Sequence, residues 1–466
     1  MNRKVLFLFV FIIACHLWFN QSLQLHFDEA YYWVWSKNLQ LSYFDHPPMI
    51  AYVIKLTTLF SNKEFFVRLP SVLCATITII MIYKSSQVLF GQKAADLSVV
   101  LSLAWPILEG VFFITTIDSP LFMFWSITIY CLINGIVLDK RIYIYLSGIA
   151  LGLALLSKYT AVLILPGVLI YLLLSKTHRK LLLNIDIYLA LVLAILVFSP
   201  VIIWNYQHDW SSFIFQFKHG VSDEKNFNIE SFSGYIGAFL GAANPFISIP
   251  IFVFLWKQRK EILKNDAKLF LLSQFLFIFI FFAYNSLYKF QEANWAAPAY
   301  ITGIVFIAGV LSDRGIKWIS RFAIGLILIL LPLVKMPEVF LPRNLHSKIP
   351  SIDAFMGNKQ LYDQIKANYL KKDDVIISCN YKVASRGWYY LDKQVHVLDG
   401  FKNNSYHFWN NDLNYPIKDA LYFCESDNGD DIKTLSKYFT LIKPVGIVKY
   451  RDSFVNNKLY IYRLGN

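Results

Sequence analysis

Eleven apolar runs, each roughly 17–25 residues long, set the limits on what this chain can become. They lie near 5–23, 67–85, 94–113, 117–138, 142–157, 159–175, 187–205, 233–256, 268–285, 296–312 and 319–335. A helix of that length crosses the ~30 Å hydrocarbon core of a bilayer. The fifth and sixth runs are separated only by Ser157-Lys158, but together they exceed one span. Composition agrees: 56% of the 466 residues are hydrophobic and 16% are charged. A soluble domain has no use for so much apolar surface, whereas a polytopic membrane protein does.

The positions of Lys and Arg orient the runs. With Arg3 and Lys4 in the cytoplasm, the inner segments carry 17 basic residues, and the outer segments before residue 336 carry eight. This asymmetry places the N-terminus inside and the chain after the last run outside. The net charge of +13 therefore marks the ends of spans. It forms no basic stripe with base-reading side chains, which excludes nucleic acid as a partner. Arg3-Lys4 followed by VLFLFVFIIAC also has the form of a signal peptide. The run continues through His16-Leu17-Trp18-Phe19 with no small-residue cleavage site, so an uncleaved first helix is the expectation.

Past Leu331-Pro332 the chain turns polar. The pattern divides it into a membrane domain, 1–335, and a small outer α/β domain, 336–466, long enough for a core of its own. In the latter, Val375–Ser378, Gln394–Leu398, Ala420–Cys424, Gly446–Lys449 and Lys458–Arg463 read as strands. Lys359–Tyr369, Ala384–Leu391 and Asp431–Phe439 read as helices. Cys15, Cys74 and Cys131 fall in membrane runs and read as packing residues. Cys379 and Cys424 fall in outer strands, where a disulfide is permitted and its formation stays open. No Cys/His spacing resembles a zinc site, and the need for a divalent metal is open. Asp427, Asp430 and Asp431 read as a solvated acidic turn.

Polar residues gather where the runs meet the outer face. Asp28 and Glu29 follow the first run, and on a short helix Asp28, Tyr32 and Trp35 share a face. Asp45-His46 precedes two prolines that stiffen the loop. Arg68 opens the second run, Asp118 opens the fourth in TTIDSP, and Lys158 separates the fifth from the sixth. His208 follows the seventh, and Glu292 precedes the tenth. Any one of these has a structural alternative; for Asp118 it is a helix cap. Their convergence on one side of the bilayer favours function, because charges at a membrane boundary are costly to keep. A carboxylate there can act as base toward an acceptor hydroxyl. Cations there can stabilise a departing phosphate. The chain carries neither a nucleotide-binding loop nor a dinucleotide fingerprint, so a lipid-linked phosphate is the expected donor.

The stretches DEAYYWVWS…YFDHPP, TTIDSPLFMFW, LGLALLSKYTAVLILPG, SPVIIWNYQHDWSSFIFQFKHG and EANWAAPAY, spread over roughly residues 20–310, resemble one family. It is the bacterial branch of the protein O-mannosyltransferase-like glycosyltransferases, which share the GT-C fold with the lipid A aminoarabinose transferases. The resemblance implies an inner-membrane enzyme that moves a sugar from a polyprenyl-phosphate carrier to an envelope acceptor on the periplasmic side. That acceptor is lipid A or lipopolysaccharide core, or else a secreted protein's Ser/Thr. By position, Asp28 matches the essential acid of the first outer loop, accompanied by Glu29, and Asp118 matches a second acid. Asp45-His46 stands where the relatives carry Glu-Lys, the lysine being assigned to the donor phosphate. His46 replaces that lysine, so Lys158 or Arg68 is expected to supply the permanent positive charge. Tyr32, His208 and Glu292 complete the expected substrate-binding set. The rival class, a transporter or lipid flippase, calls for inverted repeats and broken mid-membrane helices, and the sequence displays neither.

Overall fold

The computed structural model describes residues 1–220, 227–242, 244–313, 321–322, 324–329, 353–401, 404–412, 417–427, 429–451 and 456–466. The chain forms two compact units. One comprises Met1–Trp18, His46–Ile50 and Leu69–Pro332; the other comprises Phe19–Asp45, Ala51–Arg68 and Leu333–Asn466. The second unit thus adds the chain that follows the first apolar run to the C-terminal residues.

The first unit is helical and built on the apolar runs. Among the described residues, five helices are long and apolar enough to cross a membrane: Arg3–Gln21, Glu64–Phe90, Asp118–Val137, Ile185–Gln207 and Asp266–Ser286. Two bent pairs, Gln92–Leu103 with Pro106–Phe113 and Ile229–Gly241 with Pro245–Ile262, raise the number to seven if each pair is one span. Pro106 cannot continue a preceding helix without breaking its ladder, which accounts for the first bend. The runs at 142–157, 159–175 and 296–312 correspond to shorter apolar helices, Ile142–Leu155, Tyr159–Leu174 and Ala299–Ser312. The run at 319–335 falls partly outside the described residues. Asparagine side chains cap the starts of three helices: Asn184 before Ile185, Asn244 before Pro245 and Asn265 before Asp266. Close approach is concentrated where Ile142–Leu155 meets Ile185–Gln207. A Cβ on Gly148 or Gly152 would collide with the backbone of Ala190 or with Val197. Small residues four apart let two membrane helices touch backbone to backbone.

The second unit holds a five-stranded mixed sheet of order β2-β1-β3-β5-β4. Its strands are β1 Val375–Ser378, β2 Val395–His396, β3 Asp419–Cys424, β4 Leu441–Arg451 and β5 Asn456–Gly465. β1 runs parallel to β2 and β3, while β5 is antiparallel to β3 and β4. Each expected strand is present. β4 is longer than its apolar signal because it is mostly exposed and carries Lys443 and Lys449, with an irregularity at Pro444/Gly446. The expected helices appear as Asn358–Asn368, Tyr381–Leu391 and Gly429–Leu435. Cys379 and Cys424, at the ends of neighbouring strands, are bonded to each other. Their sulfurs are therefore not offered to an ion, although Asp431 lies beside them. Cys15, Cys74 and Cys131 are free thiols.

The helix Phe27–Lys37 belongs to this unit and packs on the helix Tyr381–Leu391. The Trp33 and Tyr389 rings meet edge-on at 5.0 Å, and the Tyr31 and Tyr381 rings at 4.5 Å. Polar ties accompany the packing. The Leu25 N–H donates to the Tyr390 hydroxyl at 2.9 Å, and the Tyr389 hydroxyl donates to the Asn62 carbonyl at 2.7 Å.

Candidate functional site

Two groups of charged side chains, one in each unit, contain most of the residues singled out from the sequence. In the second unit the start of the helix Phe27–Lys37 separates two adjacent acids. His26 caps the helix: its Nδ1 accepts from the Asp28 N–H at 3.3 Å, and its own N–H donates to Glu29 Oε2 at 2.9 Å. This reciprocal capping turns Glu29 inward. There it meets Arg68, whose Nε donates to Oε1 at 2.9 Å and whose Nη2 donates to Oε2 at 2.8 Å. The remaining Arg68 donors go to the carbonyls of Asn20 (3.1 Å), Leu23 (2.6 Å) and Gln24 (2.7 Å). A guanidinium has five N–H groups, and all five are taken. Glu29 and Arg68 are buried, at 0% and 1% side-chain exposure, whereas Asp28 is 33% exposed.

Arg68, expected as one of two cations for a phosphate, therefore has no hydrogen left to offer one. It fixes the turn that precedes Asp28. Glu29, expected as a catalytic companion, closes the same lock. Burial holds the His26 imidazole down at about 4, against the attraction of Glu29 and with Arg386, Lys382 and Arg68 adding to the depression. The ring is neutral at physiological pH and can accept the Asp28 N–H.

Asp45, in the same unit, is held by the Tyr31 hydroxyl at 2.5 Å and by the Ser405 hydroxyl at 3.3 Å. The Ser405 N–H in turn donates to the Tyr31 oxygen at 2.9 Å. Tyr32 is buried, with its ring edge-on to Trp35 at 5.1 Å. Tyr381 is half-buried, and burial, followed by the Asp28 and Asp45 carboxylates, pushes its phenol up.

In the first unit Lys158 Nζ donates to Asp118 Oδ1 at 2.8 Å, and Asn294 Nδ2 donates to Asp118 Oδ2 at 2.9 Å. Asp118 begins its helix without capping it; both carboxylate oxygens are engaged by side chains from distant segments. Lys158 is only 10% exposed at its side chain, and Asp118 is its one ion-pair partner among the described residues. Two of its ammonium hydrogens therefore remain for a ligand.

His46 lies 3.3 Å from the Gln216 amide through Nδ1. His208 Nδ1 is 2.8 Å from the Trp204 carbonyl, and its ring stacks on Trp204 at 4.0 Å, an arrangement that closes the helix Ile185–Gln207. Glu292 is exposed and precedes the short helix Ala293–Ala296.

Residues 45–204 match the family model described as dolichyl-phosphate-mannose-protein mannosyltransferase. Lipid A galacturonosyltransferase RgtD of Rhizobium johnstonii is 28% identical over 298 residues, which is 62% of this chain and 61% of that protein. An undecaprenyl phosphate-alpha-4-amino-4-deoxy-L-arabinose arabinosyl transferase of Erwinia tasmaniensis is 27% identical over 305 residues, 61% of this chain and 52% of that protein. The sequence matches thus span about three fifths and about half of these relatives. The fold matches ArnT from Cupriavidus metallidurans almost end to end. In its apo state the TM-score is 0.69 at 16% identity, covering 98% of this chain and 97% of that one. With undecaprenyl phosphate bound it is 0.71 at 15% identity, covering 99% and 98%. This chain has the fold of ArnT.

Within these two groups, sequence reasoning missed Asn294, Tyr31, Tyr381 and Ser405. Asn294 had a usable signal, because it lies two residues from Glu292 in EANW, the stretch already marked. Ser405 had none, since 360 residues separate it from Asp45.

Proposed function

We propose that this protein is a membrane glycosyltransferase that moves a sugar from a polyprenyl-phosphate donor to lipid A or lipopolysaccharide core at the periplasmic face of the bacterial inner membrane. The donor and acceptor classes are those named for the relatives: lipid A for RgtD, and undecaprenyl phosphate for the arabinosyl transferase and the bound ArnT. The positive-inside pattern supports an outer location for the C-terminal residues. The Cys379–Cys424 bond supports it too, because disulfides persist in oxidising compartments.

The observation that carries the reading is the contrast at the start of the helix Phe27–Lys37. Glu29 and Arg68 neutralise each other in the interior, and the half-exposed Asp28 is held beside them on a capped helix end. In the proposed reaction an acceptor hydroxyl attacks the anomeric carbon of the donor sugar and its proton passes to Asp28. The bond from that carbon to the phosphate oxygen breaks, and polyprenyl phosphate leaves with the electron pair. The configuration inverts. Lys158, oriented by Asp118 and Asn294, is assigned to the departing phosphate, the role for which Arg68 has no free donor.

The test is sugar transfer by the purified protein from polyprenyl-phosphate sugar to lipid A, read by mass spectrometry. Asp28→Asn keeps the shape and removes the base, so turnover is expected to fall about 10²–10⁴-fold with folding intact. Near wild-type turnover in a well-folded variant ends the role of Asp28. Lipid or solute movement in vesicles, with no transfer by wild type to lipid or to protein Ser/Thr, replaces the whole reading with a transporter.

A further inference from the structure

Three cations act on His26, the residue that caps the Asp28 helix: Arg386, Lys382 and Arg68. Both arginines already hold a carboxylate. Arg68 is saturated by Glu29 and three carbonyls, and Arg386 holds Glu425 at 2.6 Å and Asn358 at 2.8 Å. Lys382 is different. Its Nζ sits 4.4 Å above the ring of Phe27, and among the described residues no carboxylate lies within ion-pair distance of it. A cation over an aromatic face is steadied without using its N–H hydrogens. The half-buried Lys382 therefore presents three donors beside the residue that precedes Asp28.

Tyr381 adjoins it in the chain, half-buried, with its ring 4.5 Å from Tyr31 and its phenol within the field of Asp28 and Asp45. The N–H groups of Lys382 and Val383 are already bonded to Asn380 Oδ1, both at 3.0 Å, so the helix end itself offers no anion site there. What remains is the Lys382 ammonium, with the Tyr381 side chain one residue before it on the same helix.

This arrangement has an electrostatic consequence. Asp28 and Asp45 would repel any anionic headgroup brought to them, and an ammonium with no counter-ion among the described residues offsets that repulsion. A neutral sugar acceptor needs no such charge. We propose that Lys382, assisted by the Tyr381 hydroxyl, is a recognition point for a phosphate group on the substrate headgroup presented to Asp28. The proposal rests on the reading that Asp28 serves glycosyl transfer, and it adds the anionic character of the group recognised there. The donor's phosphate and an acceptor's phosphate share this chemistry, and the experiment separates them.

Full-length protein in detergent is titrated with glucosamine phosphate and with glucosamine, for wild type, Lys382→Gln, Lys382→Arg and Tyr381→Phe. Wild type is expected to prefer the phosphorylated sugar. Lys382→Gln should lose about tenfold of that preference, the worth of one charge-assisted hydrogen bond at a half-exposed site. Lys382→Arg should restore most of it, and Tyr381→Phe should lose less. A wild type without preference overturns the proposal, as does a Lys382→Gln protein that retains it or that loses affinity for both sugars equally. Transfer kinetics then locate the phosphate. With lipid A bearing or lacking its phosphate monoesters, a KM rise in Lys382→Gln confined to the phosphorylated acceptor assigns it to the acceptor. A KM rise for the polyprenyl donor assigns it to the donor. Absence of transfer by wild type would sink the glycosyltransferase reading and leave the titration result standing.

Discussion

Two buried ion pairs in this protein look alike in the sequence and are built for different ends. Glu29–Arg68 has both side chains at 1% exposure or less, a forked geometry and three backbone carbonyls on the remaining donors. Asp118–Lys158 is also nearly buried, but there both oxygens of the acid are engaged, by Lys158 and Asn294, while hydrogens remain on the cation. The first pair is closed and organises backbone. The second holds an ammonium in place while leaving hydrogens on it. Arginine suits the former because its planar fork can satisfy a carboxylate and a turn at once, and lysine suits the latter as a point charge. A buried cation is therefore a candidate for substrate only when its donors have not already been counted out.

The largest expected effect separates the pairs by kind. Arg68→Ala leaves Glu29 and three carbonyls buried without partners, which should cost about 3–5 kcal/mol of stability. Chemical unfolding of the second unit is the measurement. If folding is unchanged and only donor KM rises, Arg68 is a substrate ligand after all and the contrast disappears.

Lys158→Ala should reverse that balance. Loss of donor use by about 2–5 kcal/mol is expected if the ammonium meets a desolvated phosphate, with partial rescue by Lys158→Arg. An additional Asp118→Asn change, which removes the stranded carboxylate, should restore stability without restoring donor use. Recovery of both would show that Lys158 serves folding alone.

The disulfide tests how far the second unit depends on its own cross-link. Its two cysteines are 45 residues apart, and closing a loop of that length is worth about 4 kcal/mol in the chain-entropy account. Reduction, or replacement of both cysteines by serine, should lower the melting temperature of this unit and leave the helical unit unaffected. Equal loss in both would argue against two separately stabilised units.

The smallest effect concerns the cap. His26 is depressed to about 4 in the folded chain, from an ordinary value near 6.5, so the unfolded chain binds the extra proton between those values. Stability contributed by the neutral ring is complete above about pH 6.5 and is lost as pH falls toward 4. His26→Asn keeps a capping acceptor and removes the titration, so the slope of stability against pH in that window should flatten by up to one proton. An unchanged slope would place the responsible group elsewhere.

Most of the architecture was legible because its signals are local. Spans are continuous apolar runs, and the strands around Ile376, Leu421 and Ile461 announce themselves by their own residues. The acids were legible as well, since a carboxylate beside a span is conspicuous wherever it later points. The direction each one takes was not legible. Nothing in the neighbouring letters of Asp28-Glu29 says that one remains near solvent while the other is sealed. That depends on Arg68, 39 residues away from Glu29. Nor could the sequence choose Asn294 over Glu292, or bring Ser405 to Asp45.

By itself, then, the sequence determined a polytopic helical protein with a small α/β part and a set of charges at the ends of its apolar runs. Hydrophobic length and periodicity are properties of consecutive residues and need no partner. Only the tertiary structure decided which charges cancel, which stay available and which serine or asparagine completes each group. Those outcomes depend on burial and on counting hydrogen-bond donors across distant segments.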